Sequence, residues 1–291
     1  MIQYNPKEWF GLIFKFHKAD TFRKMLGVLV VYSLFTGILV YAELNIAEMK
    51  IFSKVIQIHS LLGFVIGLLL VFRTNSAYDR WWEGRKQWGA LVNNCRNTAI
   101  KFNAALGSDK NSKLFYAKAL GNYPYALKEH LRDGVILEEL EKQDEIPHNW
   151  LLTKVHLPNA IANKINQKNQ ELYNNKQISG EQLIILDQEI KSLTDILGAC
   201  ERIKNTPIPY SYNLFIKKFI FVYTLTLPFG LAHDFHYWSI PISTLVLYIF
   251  GSLELLAEEI EEPFGNDTSD LATDDLAKII RGNVKEILCE D

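Results

Sequence analysis

Hydrophobic side chains are concentrated in four stretches of the chain that carry almost no charge. These stretches run from Met25 to Ala42, Val55 to Phe72, Phe219 to Ala232 and His236 to Leu253. A helix crosses the hydrocarbon core of a bilayer in about 20 residues, so the pattern predicts four transmembrane helices. A long polar region with apolar residues at helical spacing separates the second stretch from the third. The sequence therefore predicts an all-α, four-span membrane subunit with a helical region outside the bilayer.

The second stretch contains a bulky apolar stripe. Phe64, Leu68 and Phe72 recur at every fourth position, which keeps them on one side of a helix. Such a stripe usually faces lipid or packs against another helix, and the residues alone favour that interpretation. Repeated around an axis, the stripe would instead form a hydrophobic constriction that closes a pore by dewetting. His59, a polar residue in the same stretch, is expected to face an outer vestibule or to hydrogen-bond a neighbouring helix.

Charged residues predict the orientation of the chain. Basic side chains precede Met25, and Arg73, Arg80 and Arg85 follow the second stretch. Because cytosolic loops are enriched in Lys and Arg, we expect a multi-pass protein of the inner membrane with both termini in the cytosol. The predicted domains are an interfacial segment with helices 1 and 2, a cytosolic helical region, helices 3 and 4, and a cytosolic C-terminal segment, at residues 1–92, 93–210, 211–257 and 258–291.

Local signals predict several helix ends. Ser179 and Gln182 have the spacing of a capping box, and Pro124 predicts a break or kink in its helix. The fourth hydrophobic stretch is expected to end at Glu254, before an acidic run. A last helix is predicted from about Thr273, with acidic residues in its first turn.

Composition disfavours several classes of function. A net charge of -2 over 291 residues gives no basic surplus for nucleic-acid binding. Asp79 and Glu83 lie among arginines without a histidine or thiol nucleophile beside them, which favours ion pairs over catalysis. His233 and His236 have a spacing that zinc can use, but a structural zinc site needs four ligands. We therefore expect no enzyme activity, no cofactor and no metal centre.

Three segments resemble the bacterial branch of the bestrophin family. They are FRTNSAYDRWWEGRKQWG at 72–89, GACERIKNTPIPYSY at 198–212 and EEPFGNDTSDL at 261–271. The segments follow the order of the family and extend over most of the chain. The resemblance implies a homopentameric ion channel in a lipid bilayer, with one central pore for monovalent ions.

The resemblance also implies a pore neck. Aligned on the motif Arg80–Trp82, the residues Phe64, Leu68 and Phe72 fall on the three neck positions of the family. The resemblance thus favours the hydrophobic constriction over the packing face. Animal members favour aromatic residues at these positions, whereas Leu68 is aliphatic.

A second constriction is implied in the cytosolic part, at the beginning of the helix near Ser179. Ile178, Glu181 and Gln182 are the candidates for this aperture. An isoleucine would make the aperture hydrophobic, whereas a ring of glutamates would favour cations.

The third matching segment resembles the acidic calcium clasp of animal members. Asp267 and Asp270 fall on two of its carboxylate positions, but Asn266, Thr268 and Ser269 replace acids. Calcium prefers about 6–8 oxygen ligands. We therefore expect a vestigial clasp whose polar residues cap a turn, with weak or no activation by calcium.

Two ion classes remain open. The resemblance implies anions such as chloride if the chain behaves like animal members, and monovalent cations if it behaves like bacterial members. The glutamates that follow the fourth stretch give no argument for anions, so we expect a preference for cations. The alternatives are a chloride channel of the same family and a non-conducting membrane scaffold or signalling module.

Overall fold

The computed structural model describes residues 20–45, 55–132 and 134–289. These residues form nine α-helices, and no β-strand lies among them, so the all-α prediction is confirmed. The helices are α1 (Asp20–Asn45), α2 (Val55–Leu106), α3 (Lys110–Leu131), α4 (His148–Leu151), α5 (Leu157–Asn174), α6 (Gly180–Asn205), α7 (Tyr210–Phe235), α8 (Ser239–Glu261) and α9 (Thr273–Cys289). Most of the predicted interfacial segment, residues 1–19, lies outside the described residues.

Three helical stretches of the described chain are long and apolar enough to cross a membrane. They are Thr21–Asn45, Ile56–Leu106 and Tyr210–Glu261. The third stretch contains both α7 and α8, which are joined by the short 3-10 turn His236–Trp238. The first three hydrophobic stretches of the sequence therefore lie in α1, α2 and α7, and the fourth lies in α8 apart from the turn His236–Trp238. The protein is a helical membrane protein.

The chain forms two compact units. The first, called the membrane unit here, contains residues 20–80 and Pro207–Glu261. The second, called the polar unit, contains Trp81–Thr206 and residues 262–289. The long helix α2 contributes its first half to the membrane unit and its second half to the polar unit.

In the membrane unit, α2 packs against α7 through aliphatic side chains. Ile66 and Leu70 of α2 are buried in a cluster with Ile216, Ile220 and Leu227 of α7. Helix α1 also contacts α7 and α8. The aliphatic cluster with α7 covers one side of the α2 membrane segment.

In the polar unit, α3 lies between α9 and α5, and α5 also contacts α6. The Phe102 ring of α2 stacks on Tyr116 of α3 with ring centroids 3.7 Å apart. The buried Lys128 ammonium binds the carboxylates of Glu139 and Asp274, each at 2.6 Å, and thereby ties α9 to α3. Burial raises the pKa of Asp274, but hydrogen bonds from Arg132 and Lys128 outweigh it and lower this pKa to about 2.

Three local predictions can be compared with the helices. The capping box is confirmed, since Ser179 Oγ accepts from the Gln182 N–H at 3.2 Å and Gln182 Oε1 accepts from the Ser179 N–H at 2.8 Å. A break at Pro124 is wrong, because α3 runs through it. Both neighbouring tyrosines are buried, and this packing outweighs the cost of about 3 kcal/mol for an internal proline. Helix α8 itself continues to Glu261, beyond Glu254 where the fourth span is predicted to end.

Candidate functional site

One side of α2 is uncovered along its apolar part. Phe64, Leu68 and Phe72 expose 71%, 45% and 54% of their surfaces. Ile66 and Leu70, on the other side of the helix, are almost completely buried. The stripe in the sequence is thus a continuous apolar face on a helix that is packed from behind. Such a face is available to lipid or to further copies of the chain.

Polar side chains extend this uncovered face. Asn75 and Asp79 follow Phe72 at helical spacing, and both are exposed. The apolar stripe is therefore followed, on the same side of α2, by an amide and then by a carboxylate. The sequence shows that Asp79 is charged. That Asp79 shares a face with the stripe follows only from the structure, in which α2 is unbroken from Val55 to Leu106.

A buried ionic network lies next to the lower end of the stripe. The Arg73 side chain is completely buried, and its Nη2 donates to Glu261 Oε2 at 2.7 Å. Its Nε lies 3.6 Å from Glu254 Oε2, which is an ion-pair distance but too long for a hydrogen bond. Glu261 Oε1 also accepts from the Ile208 N–H at 2.8 Å. Helix α2, the end of α8 and the segment before α7 are therefore tied together within the membrane unit.

A further hydrogen bond strengthens this connection. The Arg80 Nε donates to the backbone carbonyl of Glu261 at 3.1 Å, two turns below Arg73 on α2. By contrast, Glu83 pairs with Lys86 at 2.5 Å in a largely exposed position, and hydrogen bonds from Lys86 and Gln87 lower the Glu83 pKa. Exposed ion pairs contribute about 0–1 kcal/mol, so the buried Arg73 network is the stronger constraint on α2.

His59 is part of the packed side of α2. Its Nε2 lies 2.9 Å from Thr226 Oγ1 on α7, and the ring lies 5.2 Å from the ring of Tyr223. The Thr226 hydroxyl also donates to the Val222 carbonyl at 2.8 Å. Of the two roles expected for His59, the structure shows the hydrogen bond to a neighbouring helix.

The three candidates for the cytosolic aperture have different environments in the polar unit. Ile178 is 4% exposed and belongs to the hydrophobic core. The Gln182 side chain is held by the capping box. The Glu181 side chain is exposed and accepts from Ser179 Oγ at 2.6 Å, a hydrogen bond that lowers its pKa. Of the three, Glu181 alone presents an exposed charge.

The segment that resembles the calcium clasp forms a tight turn. The buried Asp270 carboxylate accepts from the Asp267 N–H at 2.6 Å through Oδ2. The Asp270 N–H in turn donates to the Asp267 carbonyl at 3.2 Å. The Trp81 indole donates to the Ser269 carbonyl at 3.0 Å, which fixes the turn against α2. Asp270 thus closes the turn with its side chain, whereas the Asp267 side chain is exposed.

One group of three metal-ligating side chains occurs in the described part of the chain. His130, His156 and Glu201 place one ligand atom each within 4.8 Å of one another. They lie on different elements and have no motif spacing, so the sequence gives no sign of the group. His233 and His236 belong to no such group among the described residues.

Comparison with known proteins identifies the family. The family model for the bacterial/fungal bestrophin protein matches residues 1–286. The chain is 35% identical over 230 residues to a protein of Nostoc sp. named voltage-dependent anion channel-forming protein, with 77% of this chain and 75% of that protein aligned. A protein of the same name from Salmonella typhi is 30% identical over 292 residues, covering 96% of this chain and 91% of the relative.

The fold agrees with this assignment. A solved bestrophin homologue from Klebsiella pneumoniae has a TM-score of 0.82 and 25% identity to this chain, covering 92% of this chain and 99% of the other. The sequence and structure matches agree on one class of helical membrane protein. The chain belongs to the bacterial/fungal bestrophin family, as the three sequence segments predicted.

Proposed function

We propose that this protein is a homopentameric ion channel in which the α2 helices surround one central pore. The observation that carries the proposal is the uncovered face of α2, which is apolar at Phe64, Leu68 and Phe72 and polar from Asn75 onwards. Membership of the bestrophin family and the names of the relatives support the same function. The three apolar residues form the neck, where stacked hydrophobic rings exclude water and oppose the passage of ions.

The proposed membrane arrangement has four spans. The hydrophobic parts of α1, α2, α7 and α8 cross the inner membrane, and both termini lie in the cytosol. The basic residues after the neck support this orientation, because positively charged segments stay on the cytosolic side. The polar unit then lies in the cytosol.

We place the cytosolic aperture at Glu181. Ile178 is buried in the core, and Gln182 is held by its cap, whereas the carboxylate of Glu181 is exposed and ionised at neutral pH. A ring of such carboxylates attracts cations and repels anions. Asp79, on the same face of α2 as the neck, adds a second negative charge for each subunit. We therefore propose a preference for monovalent cations.

Permeation of anions is the alternative, and it is favoured by a specific observation. Relatives from Nostoc sp. and Synechocystis sp., at 35% and 34% identity, are named voltage-dependent anion channel-forming proteins. The second alternative is a non-conducting membrane scaffold or signalling module, in which the polar unit is the working part.

Ion flux and reversal potential separate these functions. Purified protein in liposomes is expected to release trapped potassium, whereas a scaffold would leave the vesicles tight. In a planar bilayer with asymmetric potassium chloride, the reversal potential is expected to lie towards the potassium equilibrium potential. A reversal potential near that of chloride would replace the cation proposal with the anion alternative.

The Glu181→Gln variant tests the aperture. Removing one negative charge from each subunit is expected to reduce the ratio of cation to anion permeability several-fold, because the attraction of the ring is lost. The reversal potential in asymmetric salt measures this ratio. Asp187→Asn is the matched control, since Asp187 is exposed on another side of the same helix. Equal shifts in the two variants would contradict the placement of the aperture.

Currents are expected to be nearly independent of calcium. The Asp270 carboxylate is already used to close its turn, and the neighbouring acids of the animal clasp are absent. Calcium is titrated from chelated to millimolar levels while current is recorded from the wild type and from Asp267→Asn. Asp267 is chosen because its side chain is exposed. A steep, saturating rise of current that is lost in Asp267→Asn would contradict the expectation.

A further inference from the structure

The group of His130, His156 and Glu201 lies at the junction of three elements of the polar unit. His130 is in the last turn of α3, His156 is the N-cap of α5, and Glu201 is near the end of α6. Glu201 Oε1 accepts from both imidazoles, at 2.7 Å from His130 Nε2 and 2.8 Å from His156 Nε2. The two rings lie 4.2 Å apart, with an angle of 32° between their planes. Three potential ligand atoms therefore already point at one another.

This arrangement is close to the geometry of a bound transition metal. With Zn–N and Zn–O distances of about 2.0–2.2 Å, ligand atoms of a tetrahedral site are about 3.3 Å apart. The present separations from Glu201 Oε1 are shorter by roughly half an ångström, so small rotations of the side chains would make room for the ion. Two imidazoles and one carboxylate are the donor set of zinc sites that keep a fourth position open. Oxygen-preferring cations such as calcium and magnesium are a poor match to imidazole ligands.

The surroundings suit a cation with one further ligand. A cavity of about 420 Å³ adjoins the group, and its lining includes Glu201, Lys204 and Asn205. The three ligand side chains are about 30% exposed, so an ion can enter from solvent. The ends of α3 and α6 carry the partial negative charge of helix C-termini, which favours a cation. Lys204 donates to the His130 carbonyl at 3.4 Å, and its charge would favour water, hydroxide or chloride in the fourth position.

The protonation states are also compatible with metal binding. Burial raises the Glu201 pKa, but hydrogen bonds from His130 and His156 outweigh it, so the net shift is downward and the carboxylate is ionised at neutral pH. His156 Nδ1 accepts from the Asn159 N–H at 3.4 Å, so the proton of the neutral ring is on Nε2. Coordination through Nε2 moves this proton to Nδ1 and gives up that hydrogen bond, which is weak at this length.

We propose that His130, His156 and Glu201 form a zinc-binding site in the polar unit, with the fourth position open to the adjoining cavity. Bound zinc links the ends of α3 and α6 to the beginning of α5. The site thereby stabilises the polar unit and gives it a dependence on metal that is separate from ion conduction.

Isothermal titration of the full-length, metal-stripped protein in detergent with zinc chloride tests the site. One zinc per chain is expected at pH 7.5, with weaker binding in acid, because the ligands must be deprotonated to bind the metal. His156→Ala and Glu201→Gln are each expected to weaken binding at least about tenfold. Zinc is also expected to raise the unfolding temperature of the wild type but not of these variants.

His148→Ala is the matched control. His148 is a histidine of the same unit whose Nε2 lies 3.1 Å from the Leu140 carbonyl, away from the group. This variant is expected to bind zinc like the wild type. Circular dichroism and size-exclusion chromatography establish that each variant is folded, and if Glu201→Gln is not, His156→Ala decides alone. Equal affinity in the wild type and His156→Ala, or no zinc binding by the wild type, would overturn the proposal.

Discussion

Arg73→Met is expected to destabilise the membrane unit by about 3–5 kcal/mol, which is the usual cost of removing one partner from a buried ion pair. The substitution keeps much of the side-chain volume but leaves Glu254 and Glu261 buried without their counter-charge. The loss of the counter-charge is expected to cost more at Glu254 than at Glu261, because neither carboxylate oxygen of Glu254 has a hydrogen bond among the described residues. Thermal unfolding of the purified protein in detergent measures the loss.

Lys217→Met is the control for this prediction. Lys217 of α7 pairs at 2.7 Å with Glu258 of α8, the helix that also carries Glu254 and Glu261. Both side chains of this pair are about half exposed. An exposed pair contributes about 0–1 kcal/mol, so the control should unfold close to the wild-type temperature. The double variant Arg73→Met with Glu254→Gln should recover part of the loss, because one uncompensated charge is then removed. Similar unfolding temperatures for Arg73→Met and Lys217→Met would contradict the importance of the buried network.

The network has a direct bearing on the proposed pore. Arg73 follows Phe72 immediately, so a fixed guanidinium also fixes the rotation of α2 about its axis at the lower end of the stripe. A turn of α2 by one residue, about 100°, would move the stripe away from its present side. The buried network thus determines which side chains of α2 face away from the membrane unit, and any pore built from that face depends on it.

The sequence predicts the parts of this fold that depend on local patterns. Charge-free stretches, the capping box at Ser179 and the apolar stripe of α2 each depend on residues within a few turns of one another. Glu254 is the first charge after the fourth stretch, and no local pattern shows that α8 continues beyond it. Its partner Arg73 is far away in the chain, and only the tertiary structure explains why α8 continues to Glu261.

The same limit applies to the sites. Arg73 and Glu261 are separated by 188 residues, and His130 and Glu201 by 71 residues. No periodicity or motif connects residues at such distances. Ile178 is a residue that the local pattern suggests and the tertiary structure does not favour. Its position beside the capping box makes it a candidate for the aperture, but its side chain belongs to the core of the polar unit. Burial, which is a property of the whole fold, separates it from Glu181.

Leu68→Ala is expected to raise the ion current about tenfold, which corresponds to a barrier lower by about 1.4 kcal/mol. Leu68 is in the middle of the proposed neck, with one phenylalanine a turn above it and another a turn below. Truncation removes bulk from every subunit at the same level, so the ring widens and admits water more readily. Because the face is uncovered in the subunit, the change should affect the pore far more than the stability of the fold. Single-channel recording in planar bilayers measures both conductance and open probability.

Leu34→Ala in α1 provides the matched control, since Leu34 is a leucine with 64% of its surface exposed in another membrane helix. A residue that faces lipid can lose its side chain without altering a pore, so the control should conduct like the wild type. Phe64→Ala and Phe72→Ala should raise the current as Leu68→Ala does, because they widen the same neck at other levels. If all three substitutions on α2 left the current at the level of Leu34→Ala, the uncovered face would have to be a lipid-facing or packing surface, and the pore would have to be sought elsewhere.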